Sequence, residues 1–381
     1  FGNLYHLNAE EEPENVDYPP EEDFPDFHKN FKPRGVIHSW ATDDDDPTEH
    51  PRWGLVGKQK IEDTGPLTKK RMETCDVEFV DAAKDFIKRA HDDETPFFVW
   101  LNTTWMHFRV HPPEEILGQA GRWQSFYHDA MVEHDKHVGQ MLDLLDELGI
   151  AEDTIVMYST DNGVHMNSWP DAGMTPFRNE KNSNWEGAFR VPAVVRWPGK
   201  IPAGSISNEI VAHQDWLPTL LAAAGEPDII GKLKKGHKVG DKEFKVHIDG
   251  YNCLPHFTGE EEKSPRPGFI YFSDDGDLVA VRYDNWKLVF AEQRMPGTVQ
   301  IWAEPFVFLR FPKMFNLRTD PFERADMTSN TYWDWVIDRV YLVYAGQAIV
   351  TKFLATFKEF PPRMKAASFS IDQVIAKMEG L

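Results

Sequence analysis

The run Thr154-Ile155-Val156-Met157-Tyr158-Ser159-Thr160-Asp161-Asn162-Gly163 sets the fold. Residues 154–158 form a short, almost wholly apolar strand, and a turn rich in oxygen donors comes directly after it. A strand apolar on both faces belongs to a sheet covered on both sides, and such sheets are mostly parallel. The same grammar repeats to either side. Upstream, Val77, Phe79, Val80, Ala83, Phe86 and Ile87 recur at helical spacing until Thr95-Pro96 breaks the helix. Phe97-Phe98-Val99-Trp100-Leu101 then reads as a fully buried strand. A helix is expected over 127–148, with Met131, Val138, Met141, Leu142 and Leu145 on one side and Gly149 as its stop. Downstream, 191–197 reads as a strand and 215–224 as a helix. Helices alternating with apolar strands give an α/β fold, a mostly parallel sheet flanked by helices.

The grammar shifts after about residue 240. Segments 269–273, 278–283 and 286–291 read as strands joined by Asp274-Asp275-Gly276-Asp277 and Asp284-Asn285, a local antiparallel meander. A long helix near 333–357 comes next, ended by Pro361-Pro362. The expected organisation is therefore an α/β domain over 1–240 and a small α+β domain over 241–381. Residues 1–65, rich in Pro, Asp and Glu, show little periodicity. The acidic run Asp43 to Asp46 reads as a solvated surface excursion.

The net charge of −21 and pI near 5.1 disfavour nucleic acid and anionic membrane surfaces, which repel an acidic chain. Two cysteines, Cys75 and Cys253, give neither a disulfide framework nor a zinc spacing. The uncharged stretch between Arg339 and Lys352 falls short of the roughly 20 residues a bilayer span needs and reads as a buried helix face.

Ligands of doubly wound sheets gather outside the C-terminal ends of strands. Asp161 and Asn162 stand at such an end. Two adjacent hard oxygen donors suit Ca²⁺ or Mg²⁺, although Asp-Asn-Gly is equally good turn chemistry. Beyond this turn the chain carries an ordered set of segments: Thr175-Pro176-Phe177-Arg178-Asn179-Glu180-Lys181, Asn184-Trp185-Glu186-Gly187 and Phe189-Arg190-Val191-Pro192-Ala193. Met106-His107 comes after the strand at 97–101, and Phe315-Asn316-Leu317-Arg318-Thr319-Asp320-Pro321-Phe322-Glu323 lies near the end.

This set resembles the sulfatase family of the alkaline phosphatase-like superfamily, and the opening Asn3 to Glu12 resembles an arylsulfatase-type bacterial branch. The resemblance implies an alkaline phosphatase-like sheet whose first strands are missing here, and hydrolysis of small sulfate esters. It makes Asp161 and Asn162 ligands of a divalent cation, Ca²⁺ or else Mg²⁺. Lys181 would bind the sulfate ester, and His107 would help protonate the leaving group, with His111 its nearby competitor. It also implies a periplasmic or secreted protein. Against these roles, His107 could cap a strand end and Lys181 could form a surface pair with Glu180. Glu186 and Arg190 read as a structural ion pair, His134 and Asp135 as helix packing and surface, and His165 as a solvent-facing loop residue. Trp105, Trp169 and Trp185 are either core or the wall of a leaving-group pocket.

The family's nucleophile is a formylglycine made in a Cys-x-Pro-x-Arg segment, and no such run occurs here. Cys75 is followed by Asp76-Val77-Glu78; Cys253-Leu254-Pro255-His256 lacks the arginine and reads as a structural loop. The expectation is a fragment, inactive alone, of a formylglycine sulfatase. A phosphodiester or phosphonate monoester hydrolase of the same superfamily and a non-catalytic sulfatase-like binding protein are the alternatives.

Overall fold

A computed structural model describes residues 11–50, 54–107, 110–166 and 173–363. The chain divides into two compact units, Phe1–Thr154 with Ser168–Ala172, and Ile155–Asn167 with Gly173–Leu381. The opening motif at 3–10 and Trp169 lie outside the described residues.

In the first unit, helix α1 (Pro25–Phe31) precedes a long antiparallel hairpin, β1 (Ile37–His50) and β2 (Gly54–Asp63). The acidic run read as a solvated surface excursion lies in strand β1 of this hairpin. Asp and Pro are poor strand residues, but register shifts between Ala41 and Asp46 and between Asp46 and Glu49 accommodate them. Asp43 to Asp46 are exposed, as expected of a solvated run. Helix α2 (Cys75–Asp92) buries Phe79, Val80, Ala83, Ile87 and Ala90 at the expected spacing, while Val77 and Phe86 face solvent. Helix α3 (Phe126–Glu147) starts at Ser125, whose hydroxyl accepts from Tyr127 N, and stops before Gly149, where φ is +69°. Its buried residues include Ala130, His137, Leu144 and Leu145; Met131 is exposed.

Residues 97–101 are not a buried strand. They form no ladder among the described residues, and Phe98 and Trp100 are 68% and 79% exposed. An apolar run carries strand propensity, but a strand exists only where a neighbour accepts its backbone hydrogen bonds.

In the second unit, β3 (Val156–Ser159) pairs antiparallel with β4 (Ala193–Arg196). Both lie at the positions expected from sequence, yet Tyr158 and Val194 are exposed where burial was expected, because this ladder has two strands and no third beside it among the described residues. The parallel ladder expected of the sheet is not among the described strand pairs, which are antiparallel apart from an isolated Glu11–Leu67 bridge. Helix α4 (Trp216–Ala223) lies where expected.

The C-terminal meander forms β5 (Gly268–Phe272), β6 (Leu278–Tyr283) and β7 (Trp286–Glu292), and β8 (Val307–Asn316), unforeseen, completes a four-stranded antiparallel sheet in the order β8-β7-β6-β5. The single helix expected near 333–357 is two, α5 (Tyr332–Ile337) and α6 (Tyr341–Ala355), broken where no Gly or Pro marks the break. The core of this unit joins Trp185, Tyr271, Val279, Val281, Leu288, Val289, Met314, Phe315, Tyr332 and Val343. Close approach of α6 to the sheet needs Gly346, whose Cβ would lie 2.1 Å from Leu288 Cδ1. No helix of the described residues is long and apolar enough to cross a membrane.

Candidate active site

Three backbone segments stack at the end of β3. Gly163 N donates to Ala188 O at 2.8 Å, and Gly187 N donates to Arg178 O at 2.9 Å. A Cβ on Gly163 would sit 1.8 Å from Gly187 O, and one on Gly187 would sit 2.0 Å from Asn179 O. Both glycines are therefore steric requirements of the stack. Their effect is to lay the Asp161-Asn162 turn against the segment that carries Lys181, whose N–H also donates to Val164 O at 3.3 Å. The structure thus brings three of the four expected site residues into one unit.

Asp161 is exposed and accepts a 3.4 Å hydrogen bond from Thr160 Oγ1. His213, which drew no notice in the sequence, donates Nε2 to Thr160 O at 2.8 Å and so lies at the same strand end. It precedes α4 within His213-Gln214-Asp215. The buried Asp215 carboxylate accepts from Arg266 at 2.6 and 2.7 Å and from Ala212 N at 2.8 Å, which fixes that approach.

Lys181 does not pair with Glu180. The Glu180 side chain turns inward, 3% exposed, and accepts from Thr298 N at 2.7 Å and from Met166 N. Lys181 forms no ion pair among the described residues, and its ammonium lies 5.7 Å from the Trp302 ring centroid. Positive φ at Asn179 (+60°) and Asn182 (+67°) brackets it. Such backbone costs of order 1–3 kcal/mol per residue and persists where surrounding contacts enforce it. The Asn182 amide nitrogen, facing Asp274, donates to both carboxylate oxygens at 2.7 and 3.2 Å. Burial raises the Asp274 pKa, the Asp275 charge raises it further, and Lys181 opposes both. His165 belongs to this neighbourhood instead of facing solvent. Burial lowers its pKa against the pull of Glu180, Lys181 lowers it further, and Nε2 is buried without a hydrogen-bond partner among the described residues.

Beneath this surface lies a sealed charge cluster. Glu186 accepts from Arg190 Nε at 2.9 Å, as the sequence suggested, and also from Tyr271 OH at 2.8 Å and Lys287 Nζ at 3.1 Å. Lys287 reaches Glu323 at 2.8 Å, and Glu323 Oε2 accepts from Glu186 N at 2.6 Å. Burial alone would raise the Glu186 pKa, but Lys287 and Arg282, with hydrogen bonds from Arg190 and Tyr271, hold it at about 2. Trp185 is fully buried in the adjoining core, which settles its role as core, and Trp105, 5% exposed, packs in the first unit's core.

His107 belongs to the first unit. Its turn is braced from below. The buried Asp76 carboxylate accepts from Thr104 N and Oγ1, both at 2.7 Å, and from Trp105 N at 2.9 Å. Tyr127 OH donates to Met106 O at 2.6 Å, and Met106 has φ +75°. His111, half-buried, has its pKa lowered chiefly by burial. His134, read among helix packing and surface residues, is partly buried with Nδ1 3.2 Å from Thr103 Oγ1, and burial lowers its pKa. Cys75 and Cys253 are free and buried, and burial raises them to about 12 and about 11, so neither thiol offers a thiolate at neutral pH.

The sulfatase family model matches residues 13–226, more than half of the chain. The chain belongs to the sulfatase family. It is 31% identical over 310 residues to N-acetylgalactosamine-6-sulfatase of Canis lupus familiaris, covering 76% of this chain and 55% of the relative. It is 30% identical over 268 residues to steryl-sulfatase of Homo sapiens, covering 65% and 43%. Among solved structures it is similar to PsFucS1 sulfatase from Pseudoalteromonas sp., with TM-score 0.68 and 26% identity over 82% of this chain and 59% of that one. The sulfatase fold class, with its trailing antiparallel sheet, is thereby established. The chain spans about half the length of the curated relatives it matches.

Proposed function

We propose that this sulfatase-family chain supplies the cation-binding turn and the sulfate-binding lysine of a sulfate ester hydrolase. The observation that carries the proposal is the state of Lys181: partly buried, beside the Asp161-Asn162 turn, and in no ion pair among the described residues, with Glu180 pointing inward. A cation held this way, unneutralised, is what a sulfuryl oxygen requires. The names of the relatives differ in the alcohol half, an aminosugar against a steroid, and share the sulfate ester.

No group of three or more His, Cys, Asp or Glu able to hold a metal lies among the described residues. Asp161 and Asn162 nonetheless fit a hard cation as two oxygen donors, out of the six to eight that Ca²⁺ takes. When bound, Ca²⁺ would polarise the sulfuryl oxygens as a Lewis acid. The chain's own residues do the rest. Lys181 neutralises charge on the ester oxygens, and Trp302 shields one side of the ammonium. His107, on its braced turn, gives a proton to the departing alcohol oxygen. The nucleophile in this proposal is a formylglycine from a Cys-x-Pro-x-Arg segment, which the 381 residues do not contain. In the same proposal residues 1–240 belong to the catalytic α/β domain and 241–381 to the trailing α+β domain, in a periplasmic or secreted protein.

The test uses a polypeptide carrying this sequence together with the nucleophile segment. Asp161→Ala is expected to lose bound cation and aryl sulfate hydrolysis together. Retention of full hydrolysis by Asp161→Ala would remove the turn from the site.

A further inference from the structure

The uncharged run between Arg339 and Lys352 makes up most of α6, and only one side of that helix is buried. Val343 and Gly346 face the sheet, with Leu342, Ile349 and Val350 packed beside them. The opposite side carries Tyr341 (62% exposed), Tyr344 (69%), Ala348, Thr351 and Ala355, all open to solvent, and Ile337 (66%) stands one turn before them. From Ile337 to Ala355 the steps are four, three, four, three and four residues, the spacing of a coiled-coil seam. No residue of this seam is charged. A helix already docked on a sheet has no need of a second apolar stripe, and exposed apolar patches of this kind mark contacts with other molecules.

The order of residues along the seam indicates what covers it. The large side chains Ile337, Tyr341 and Tyr344 come first, and the small Ala348, Thr351 and Ala355 come last. A parallel copy would set tyrosine on tyrosine and alanine on alanine, leaving a gap. An antiparallel copy sets Tyr344 against Ala348 and Tyr341 against Thr351, large against small in each layer. Charge agrees. Asp338 and Lys352 are exposed, form no ion pair among the described residues, and lie fourteen residues apart, close to four helical turns, so they flank the seam on one side. Like flanks meet when two such helices run antiparallel, and Lys352 of each copy then reaches Asp338 of the other. Arg339 does not interfere, because Nη1 donates to Trp335 O at 3.0 Å and the guanidinium lies over the Trp335 ring.

We propose that the outer face of α6 is a two-fold interface with a second copy of this chain, the two helices antiparallel. In such an isologous contact each pairing occurs twice. The 15 residues of α6 give a seam about 22 Å long, and each tyrosine brings about 150–250 Å² when buried. The area falls short of the roughly 800 Å² per partner of a standard interface, so the association is weak and concentration-dependent. Charges farther apart than about 8 Å are largely screened at physiological salt. The net charge of −21 on each copy therefore opposes the contact less than the abutting Asp338–Lys352 pairs favour it. Nothing in this proposal depends on the ester-cleaving role assigned above.

Sedimentation equilibrium of the chain at physiological salt tests it. The mass should rise from 43.9 kDa toward twice that value between about 1 and 100 μM chain. Tyr344→Glu should weaken the association about tenfold or more. Asp338→Lys and Lys352→Asp should each weaken it about threefold or more, since like charges then meet twice across the axis. The double variant Asp338→Lys with Lys352→Asp should recover to within about threefold of the unmodified chain. All three positions are exposed, and circular dichroism with urea midpoints checks that the variants fold. A chain that stays monomeric at about 100 μM overturns the proposal. So does an association that Tyr344→Glu leaves unchanged, which would put the contact on another face. A monomeric chain whose urea stability falls in Tyr344→Glu has this face covered by a segment of its own, and equally overturns it. Single charge variants without effect, or no recovery in the double variant, overturn the antiparallel pairing.

Discussion

Two groups of charged side chains lie within a few residues of each other in the second unit, and they are opposites. Glu186, Lys287 and Glu323 are sealed from water, and each carboxylate meets a cation or a donor. Asp161 and Lys181 are open, and no salt bridge holds either of them among the described residues. A charge buried and paired builds the molecule, because leaving it unpaired would be costly. One held in place and left unpaired is available to act on something else. The backbone stack of 161–163, 178–179 and 186–188 joins the two, so that the closed cluster fixes the platform on which the open pair stands.

The contrast is broken most forcefully at Lys287. Lys287→Met takes the ammonium from two buried carboxylates, leaving Glu323 the Glu186 N–H and Glu186 its arginines and Tyr271, and is expected to cost about 3–5 kcal/mol in urea unfolding. A cost below about 1 kcal/mol would mean the cluster is not the clamp described here. Gly163→Ala comes next. Its methyl group meets the Gly187 carbonyl, and about 1–3 kcal/mol should be lost as the stack opens. The third effect is seen in acid. Glu186 titrates at about 2, below the ordinary value of 4.5, so its contribution is fully present above pH 4.5 and drains away as pH falls toward 2. Glu186→Gln should flatten stability against pH across that window, measured by urea midpoints; an unchanged acid limb would assign the loss to other carboxylates. The smallest effect belongs to the open pair. Lys181→Ala should change stability by no more than about 0.5 kcal/mol, as expected of a residue that carries no structural contact of weight.

The same contrast explains which features could be read from the residues alone. The elements over 75–92, 126–147, 156–159, 193–196 and 216–223 were legible because apolar periodicity reports which side of a segment is covered. The failures arise where an element depends on its partner. Residues 97–101 are apolar enough for a strand and have no ladder among the described residues, while β1 is acidic and contains Pro47 yet pairs with β2. The Asp161-Asn162-Gly163 turn and Lys181 were legible as motifs. That Lys181 forms no ion pair among the described residues was not, since Glu180 beside it in sequence suggests a partner and only the fold turns that carboxylate inward toward Thr298. Asp274 and His213 were invisible for a related reason. Each reaches the Lys181 loop or the β3 end across a long separation in sequence, through Asn182 and Thr160, and no local pattern announces such a meeting.

The most direct test is hydrolysis of an aryl sulfate by Lys181→Ala, made in a polypeptide that carries the nucleophile segment and assayed at matched cation content. Removal of one preorganised group that stabilises an oxyanion typically costs about 10²–10³ in kcat, and a loss of that size with undiminished cation uptake is the expected result. Wild-type kcat/KM in this variant would contradict the assignment of Lys181 to the ester and return it to an ordinary lysine beside a well-packed loop.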